Sequence, residues 1–268
     1  MSEEKSSLIN IELIPKELIT NVFGPASKSI GEGLGGIANY VMGPLRRLNI
    51  TSEKSYQDFV KKINTKTDEI PPENRDISKL GLSLKTMEDS RYQLEDEEMR
   101  EYFANLLAGL VDNRKNQKAS PRFSTILSEL TTKEANLLSK IYKLGAVPTT
   151  NIRVQRPNDD GIDVIKNLLL VSESEFIDPS SSLKTLESYG LIEVSSLQSL
   201  KSENKEAIYN AFDNSSYFES LKEKYMDLFE GMPFFIDNDY TVVSNRGSLI
   251  ISDLGKEFCS MIFPFQKE

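Results

Sequence analysis

No histidine and no tryptophan occurs in these 268 residues, and Cys259 is the single cysteine. Without histidine there is no Ser-His-Asp triad, no Cys-His pair and no imidazole metal ligand, and the side chain that most often moves protons near neutral pH is missing. Acid-base work would fall to carboxylates, lysines and tyrosines, and none of these is grouped in a spacing that commits to a reaction. A lone cysteine cannot staple a fold. Long apolar runs are missing as well: the longest uncharged stretch, Gly33 to Leu45, has 13 residues, against about 20 apolar residues for a membrane-spanning helix. The expectations are a protein that is not an enzyme, that carries no metal or cofactor, and that has no constitutive membrane anchor. The opening Met1-Ser-Glu-Glu-Lys has neither the basic nor the apolar region of a secretory signal, and with the cysteine content it points to the cytoplasm.

What is present is an ordinary globular balance, 38% hydrophobic and 27% charged, in a chain long enough for two modest domains. The net charge of −9 is unevenly spread. Residues 1–130 hold 18 Lys and Arg against 20 Asp and Glu, whereas 131–268 hold 14 against 21, a balance of −7. Lysine and arginine neutralising phosphate supply most non-specific nucleic-acid affinity, so an acidic second half argues against a nucleic-acid partner.

Apolar spacing predicts helices throughout the first half. Leu18 to Phe23 form a short one, and Ile30, Leu34, Ile37, Val41, Leu45 and Leu48 form a continuous stripe. Thr51 or Ser52 can cap a helix through Tyr56, Phe59 and Ile63, which Pro71-Pro72 ends. Another helix runs through Ile77, Leu80, Leu84 and Met87. The clearest has Glu95 to Glu98 at its first turn, a stripe from Met99 to Leu110, and Arg114, Lys115 and Lys118 after its end, so both termini complement the helix dipole. A short helix after Ser120-Pro121 closes a helical domain spanning 1–130.

The texture then changes. Thr131 and Glu134 have capping-box spacing for a helix that Gly145 closes. Two β-prone runs, Asn151 to Val154 and Val164 to Val171, flank an Arg-Pro-Asn-Asp-Asp-Gly turn. Asp178 and Pro179 suit the N-cap and first position of a helix that stops at Gly190, and a strand follows at Leu191 to Val194. A polar helical insert occupies about 203–230. Tyr240 to Ser244 and Ser248 to Ile251 are expected to fold back on each other around Asn245-Arg-Gly as a hairpin, before a last helix. The resulting fold class is α+β, mostly α: an N-terminal helical bundle, then a winged-helix-like domain with a small β-sheet over 131–268.

Several motifs reduce to structural roles. Gly31-Glu-Gly-Leu-Gly35-Gly36 matches the letters of a dinucleotide loop, but no strand precedes it and the helical stripe runs through it. Gly31 and Gly35, with Ile30, Leu34, Ile37 and Val41, instead form a candidate helix-association face, because small residues at this spacing let helices approach closely. The uncharged stretch followed by Arg46-Arg47 extends that idea to a membrane surface met on activation. Four successive acids at Glu95 to Glu98 point about 100° apart on a helix and cannot converge on one ion. Asn158-Asp-Asp-Gly161 lacks the carboxylates of a calcium loop at Arg156 and Asn167. Arg114, Lys115, Lys118 and Arg122 form the one dense basic cluster, a candidate basic patch. Cys259, beside Phe258 and Ile262, suits a buried apolar position.

Three stretches taken in order resemble the abortive infection alpha family: Glu17-Leu-Ile-Thr-Asn-Val-Phe-Gly-Pro-Ala-Ser-Lys-Ser-Ile-Gly, Glu98-Met-Arg-Glu-Tyr-Phe-Ala-Asn-Leu-Leu-Ala and Ser120-Pro-Arg-Phe-Ser-Thr-Ile-Leu-Ser-Glu-Leu-Thr-Thr-Lys-Glu-Ala. Ser182 to Val194 and Ile251-Ser-Asp-Leu-Gly-Lys-Glu-Phe are similar to the end of that family. Members often carry a histidine where this chain has Ser120, a departure that argues against a catalytic role at that position. The resemblance implies a part in antiphage defence by halting or killing the infected cell. The expected function is therefore a non-enzymatic defence protein acting through protein-protein or membrane interaction, as a homo-oligomer or with a phage or host protein. Two rival classes stand beside it, a winged-helix DNA-binding regulator and a histidine-free hydrolase or nuclease.

Overall fold

The computed structural model describes residues 33–36, 38–39, 52–230 and 240–263. The chain is mixed α and β, mostly helical, with one five-stranded antiparallel sheet. It divides into two compact units, one formed by residues up to Thr132 together with Glu257 onward, the other by Lys133–Lys256. The expected domain of 131–268 therefore loses its last residues to the first unit. The reason is packing: Phe258 meets Phe123 edge-on with centroids 5.4 Å apart, and Phe263 meets Tyr102 at 5.2 Å.

In the first unit, α1 (Glu53–Asp68) begins at Ser52, whose hydroxyl accepts from the Ser55 amide at 3.1 Å. It ends before Pro71-Pro72, which cannot continue a helix. Helix α2 (Leu80–Ser90) starts three residues later than the Ile77 periodicity suggests. Helix α3 (Glu97–Leu110) is capped by Asp96, which accepts from the amides of Glu98 and Met99 and from the Thr132 hydroxyl at 2.6 Å. Its buried stripe of Met99, Tyr102, Phe103, Leu106, Leu107 and Leu110 makes it the central helix, with α1, α2 and α4 (Arg122–Glu129) packed on it. The short Leu18 to Phe23 helix lies outside the described residues, as does most of the Ile30 to Leu48 stripe.

The second unit opens with α5 (Thr132–Leu144), closed by Gly145 at φ +70°. Strands β1 (Val147–Gln155) and β2 (Gly161–Leu170) pair antiparallel across the expected turn, though both run longer than their β-prone cores. Then come β3 (Phe176–Ile177), α6 (Ser180–Ser188), β4 (Ile192–Ser195), α7 (Glu203–Asp213), α8 (Ser216–Phe229), β5 (Thr241–Ile251) and α9 (Asp253–Ile262). The sheet order is β3-β2-β1-β5-β4. Pro179 itself takes the N-cap of α6, so the helix begins one residue later than the Asp178-Pro179 pair suggests. Gly190 ends it at φ +73°, as expected.

The hairpin expected around Asn245-Arg-Gly is absent. β5 runs straight through it, pairing with β1 in unbroken register from Thr241 opposite Gln155 to Leu249 opposite Val147, while β4 takes its other edge. Gly247 serves close approach rather than a turn: a Cβ there would lie 2.5 Å from the Ser195 carbonyl oxygen and 2.8 Å from Thr149 Oγ1. The insert of α7 and α8 is part of the core. Tyr209, Phe212, Phe218, Leu221, Tyr225 and Phe229 pack with Ile152, Val154, Leu168, Leu170, Tyr240 and Val242. Arg246 on β5 fastens α7 to the sheet through Glu206 at 2.8 Å, Asn210 at 2.8 Å and Asp213 at 2.7 Å.

Candidate functional site

Of the expected helix-association face, Ile30, Gly31, Ile37 and Val41 lie outside the described residues. Leu34 and Gly35 are helical, and Leu34, like the following Ala38, is fully buried. A Cβ on Gly35 would stand 3.3 Å from Val60 Cγ1 and 3.8 Å from Asn64 Oδ1, so this part of the face is seated on α1 of the same unit.

The four residues of the expected basic patch have different surroundings. Lys118 and Arg122 are exposed. Arg114 and Lys115 line a cleft of about 310 Å³ in the first unit. Its other walls are Lys66, Glu69 and Ile70 at the end of α1, Asn105 and Ala108 on α3, Asp112 in the loop after α3, and Met261 and Phe263 at the end of α9. No sequence spacing joins residues near 66, 110 and 262. The one local hint is Gly109, where a Cβ would meet Met261 Cε at 2.8 Å and Lys115 Cδ at 4.0 Å.

The loop carrying Arg114 and Lys115 is held by hydrogen bonds to residues 74–76. The Asp76 amide donates to the Val111 carbonyl and the Asn113 amide to the Asn74 carbonyl, each at 2.9 Å, and Asn116 Nδ2 donates to Asp76 Oδ2 at 2.8 Å. Asn105 Nδ2 donates to the Ile262 carbonyl at 2.8 Å, tying the far wall to α3. A cleft with walls fixed in this way is preformed, which lowers the ordering cost of binding anything in it.

Its electrostatics follow from burial and pairing. Burial opposes ionisation of Asp112, but the Arg114 guanidinium outweighs it and holds the carboxyl below its usual range. Burial likewise opposes charge on Glu101, and Lys66 and Lys62 win, again lowering its pKa. Lys115 is shifted the other way: burial pushes its ammonium down, Asp112 and Glu69 resist, and Arg114 and Lys66 push it further down. Asp96 keeps its carboxyl low against burial through Thr132 and two backbone amides. Asp76 is lowered by the Ser78 amide and hydroxyl and by Asn116.

These carboxylates are tuned for permanent charge, the opposite of what a general acid near neutral pH needs. Lys85 and Ser124 have the residue types of a Lys-Ser nucleophile pair, with Nζ and Oγ 3.2 Å apart. Lys85 also donates to Thr125 Oγ1 at 2.6 Å and pairs with Asp89, so it acts there as a donor, and Ser124 is buried. Among the described residues no group of three or more Cys, Asp and Glu side chains is placed to hold a metal ion. Burial pushes the Cys259 thiol up, well out of the reactive range. No helix among the described residues is long and apolar enough to cross a membrane.

Fold and cleft together define a mostly helical α+β protein whose ionisable groups are arranged for charge pairing. The chain belongs to the abortive infection alpha family, whose profile matches residues 51–262. Comparison with curated proteins returns no match. A solved structure of an uncharacterized protein from the hydrocarbon-degrading marine bacterium Alcanivorax borkumensis SK2 is 17% identical, with a TM-score of 0.32, covering 57% of this chain and 96% of that one. That likeness is too slight to bear on fold or function.

Proposed function

We propose that this abortive infection alpha protein restricts phage by binding, without catalysing a reaction. Family membership supports the role in abortive infection. The observation that carries the non-enzymatic part is that the carboxylates of the first unit are engaged in pairing, Asp76 accepting from Asn116, Asp96 from Thr132, Glu101 from Lys66 and Asp112 from Arg114. The partner in this reading is a second copy of the chain or a phage or host protein, with a membrane surface met only on activation. The helical unit is the effector or assembly part, and the second unit, a winged-helix-like element, senses or regulates. Its helix α6 presents Lys184 against Glu187 among several serines, a poor set for phosphate contacts, which favours protein over duplex DNA as its partner.

The test is expression in bacteria followed by phage challenge, scoring survival, phage yield, membrane potential and DNA integrity. The expected result is a reduced phage yield with host DNA intact at the moment growth stops. Hydrolysis of DNA, RNA or nucleotides by the pure protein with magnesium or manganese would overturn the non-enzymatic reading.

A further inference from the structure

We propose that Asn64 keeps the seat of residues 33–36 and 38–39 on α1 releasable, and that release of this segment is the step that uncovers the association face. What the uncovered face then meets rests on the function proposed above; whether the seat releases is tested without it.

The seat is held by few atoms. Gly33, Leu34 and Ala38 are buried, and Gly35 lies against Val60 and Asn64 of α1. Val60 and Asn64 stand four residues apart, so they are neighbours on one flank of the helix, beside the buried stripe of Tyr56, Phe59 and Ile63. Val60 offers methyl groups, as a contact held by packing requires. Asn64 offers a carboxamide, and among the described residues its Oδ1 is closed to solvent and accepts no hydrogen bond. Burial of polar groups on α1 is otherwise provided for one turn on, where the Thr67 hydroxyl donates to the Ile63 carbonyl at 2.9 Å and the Asn64 carbonyl at 3.0 Å. The exception is the atom at the seat.

A buried acceptor without a partner has given up its water and gained nothing in return, and that cost falls on the docked arrangement alone, because release lets water back to the amide. A leucine, branched at the same carbon, would avoid it and add apolar contact. The docked segment is loosened from its own side too. Gly33, Gly35 and Gly36 supply three of its first four residues, and each glycine gains more backbone freedom on leaving a helix than any other residue does. Burial of Leu34 and Ala38 is what opposes release. A partner shifts an equilibrium only by its differential affinity for the two states, so a segment held this near to balance responds to a modest one.

The experiment uses the full chain and amide hydrogen exchange read by mass spectrometry, on peptides containing Leu34 and Ala38, with peptides of α3 reporting global unfolding. Asn64→Leu and the more adaptable Asn64→Met remove the acceptor and should slow exchange of the segment about tenfold or more relative to α3. Asn64→Asp places a carboxylate at the same point and should speed it. Unchanged or faster exchange in both apolar variants with α3 still protected, or an Asn64→Asp protein no faster than wild type, would overturn the proposal. In cells that the wild type protects from phage, the slow-exchanging variant should lose protection. Full protection by it would overturn release as the uncovering step and leave the abortive-infection reading standing. A wild type that fails to protect would instead overturn the proposed function, and the exchange rates would still decide whether Asn64 governs the seat.

Discussion

Asp112 grips Arg114 at two points, Nε on Oδ1 at 2.8 Å and Nη2 on Oδ2 at 2.6 Å, and the same Oδ1 accepts from the Arg114 amide at 3.0 Å. The carboxyl is buried and the guanidinium half-exposed. One buried acid thus fixes the backbone and side chain of the loop that forms the cleft wall. Replacing it with Asp112→Asn leaves the loop in place but removes charge-assisted bonds, which should cost about 1–3 kcal/mol at neutral pH. The folded pKa of Asp112 lies below its ordinary value of 3.8, so its contribution is complete above that value and is lost as pH falls through the folded one. Urea unfolding of both proteins should therefore show a gap at pH 7 that closes in acid below about pH 4. A gap independent of pH would contradict this assignment.

Gly247 and Gly145 separate two uses of glycine. At Gly247 the obstacle is the backbone of Ser195 and Ser196 together with Thr149 Oγ1, and the backbone cannot move aside without breaking the sheet. At Gly145 no atom lies within 4 Å of an added Cβ, and only φ +70° resists. Gly145→Ala should cost about 1 kcal/mol from backbone strain. Gly247→Ala should cost about 1–3 kcal/mol or more from overpacking. Chemical unfolding of the two variants gives the ranking, and the reverse order would show that β5 can bow.

Gly35 tests the association face. Gly35→Ala trades helix propensity, worth about 1 kcal/mol, against a 3.3 Å contact with Val60, and should change stability little. Gly35→Leu should lower it by about 1–3 kcal/mol if the contact with α1 is purely structural. If the helix acts by self-association, Gly35→Leu should abolish phage protection while the protein remains folded. Full protection by a stably folded Gly35→Leu protein would leave the effector role of this segment without support, and thermal unfolding on the same samples distinguishes the cases.

Duplex DNA should not be a ligand. Residues 131–268 carry a balance of −7, and Arg246, the cation of β5, is already held by Glu206 and Asp213. Titration of the full chain with duplex at physiological salt should show nothing tighter than about micromolar, the usual edge of non-specific binding. A tighter complex that weakens steeply with salt would restore the DNA-binding reading.

Much of this protein was legible in its order of residues because the signals are local. Ser52, Asp96, Gly145 and Gly190 act on the turn they adjoin, and the stripe from Met99 to Leu110 repeats within one helix, so these helix ends and the buried face of α3 follow from local signals. Asn245-Arg-Gly shows the limit of that reasoning. Its composition suits a turn, yet it lies within the nine-residue ladder between β1 and β5, with Asn151, Thr150 and Thr149 directly opposite, and that continuous pairing outweighs local preference. The cleft was illegible for a related reason: Lys66, Ala108, Lys115 and Met261 are brought together only by packing of α3 with α1 and the end of α9. Sequence by itself determined which segments from Glu53 onward are helical and which charges each carries. Tertiary structure alone decided which charges face one another, because pairing depends on distance in space, and burial, which sets how strongly Asp112 holds Arg114 and how far Lys115 is desolvated, exists only once distant segments have met.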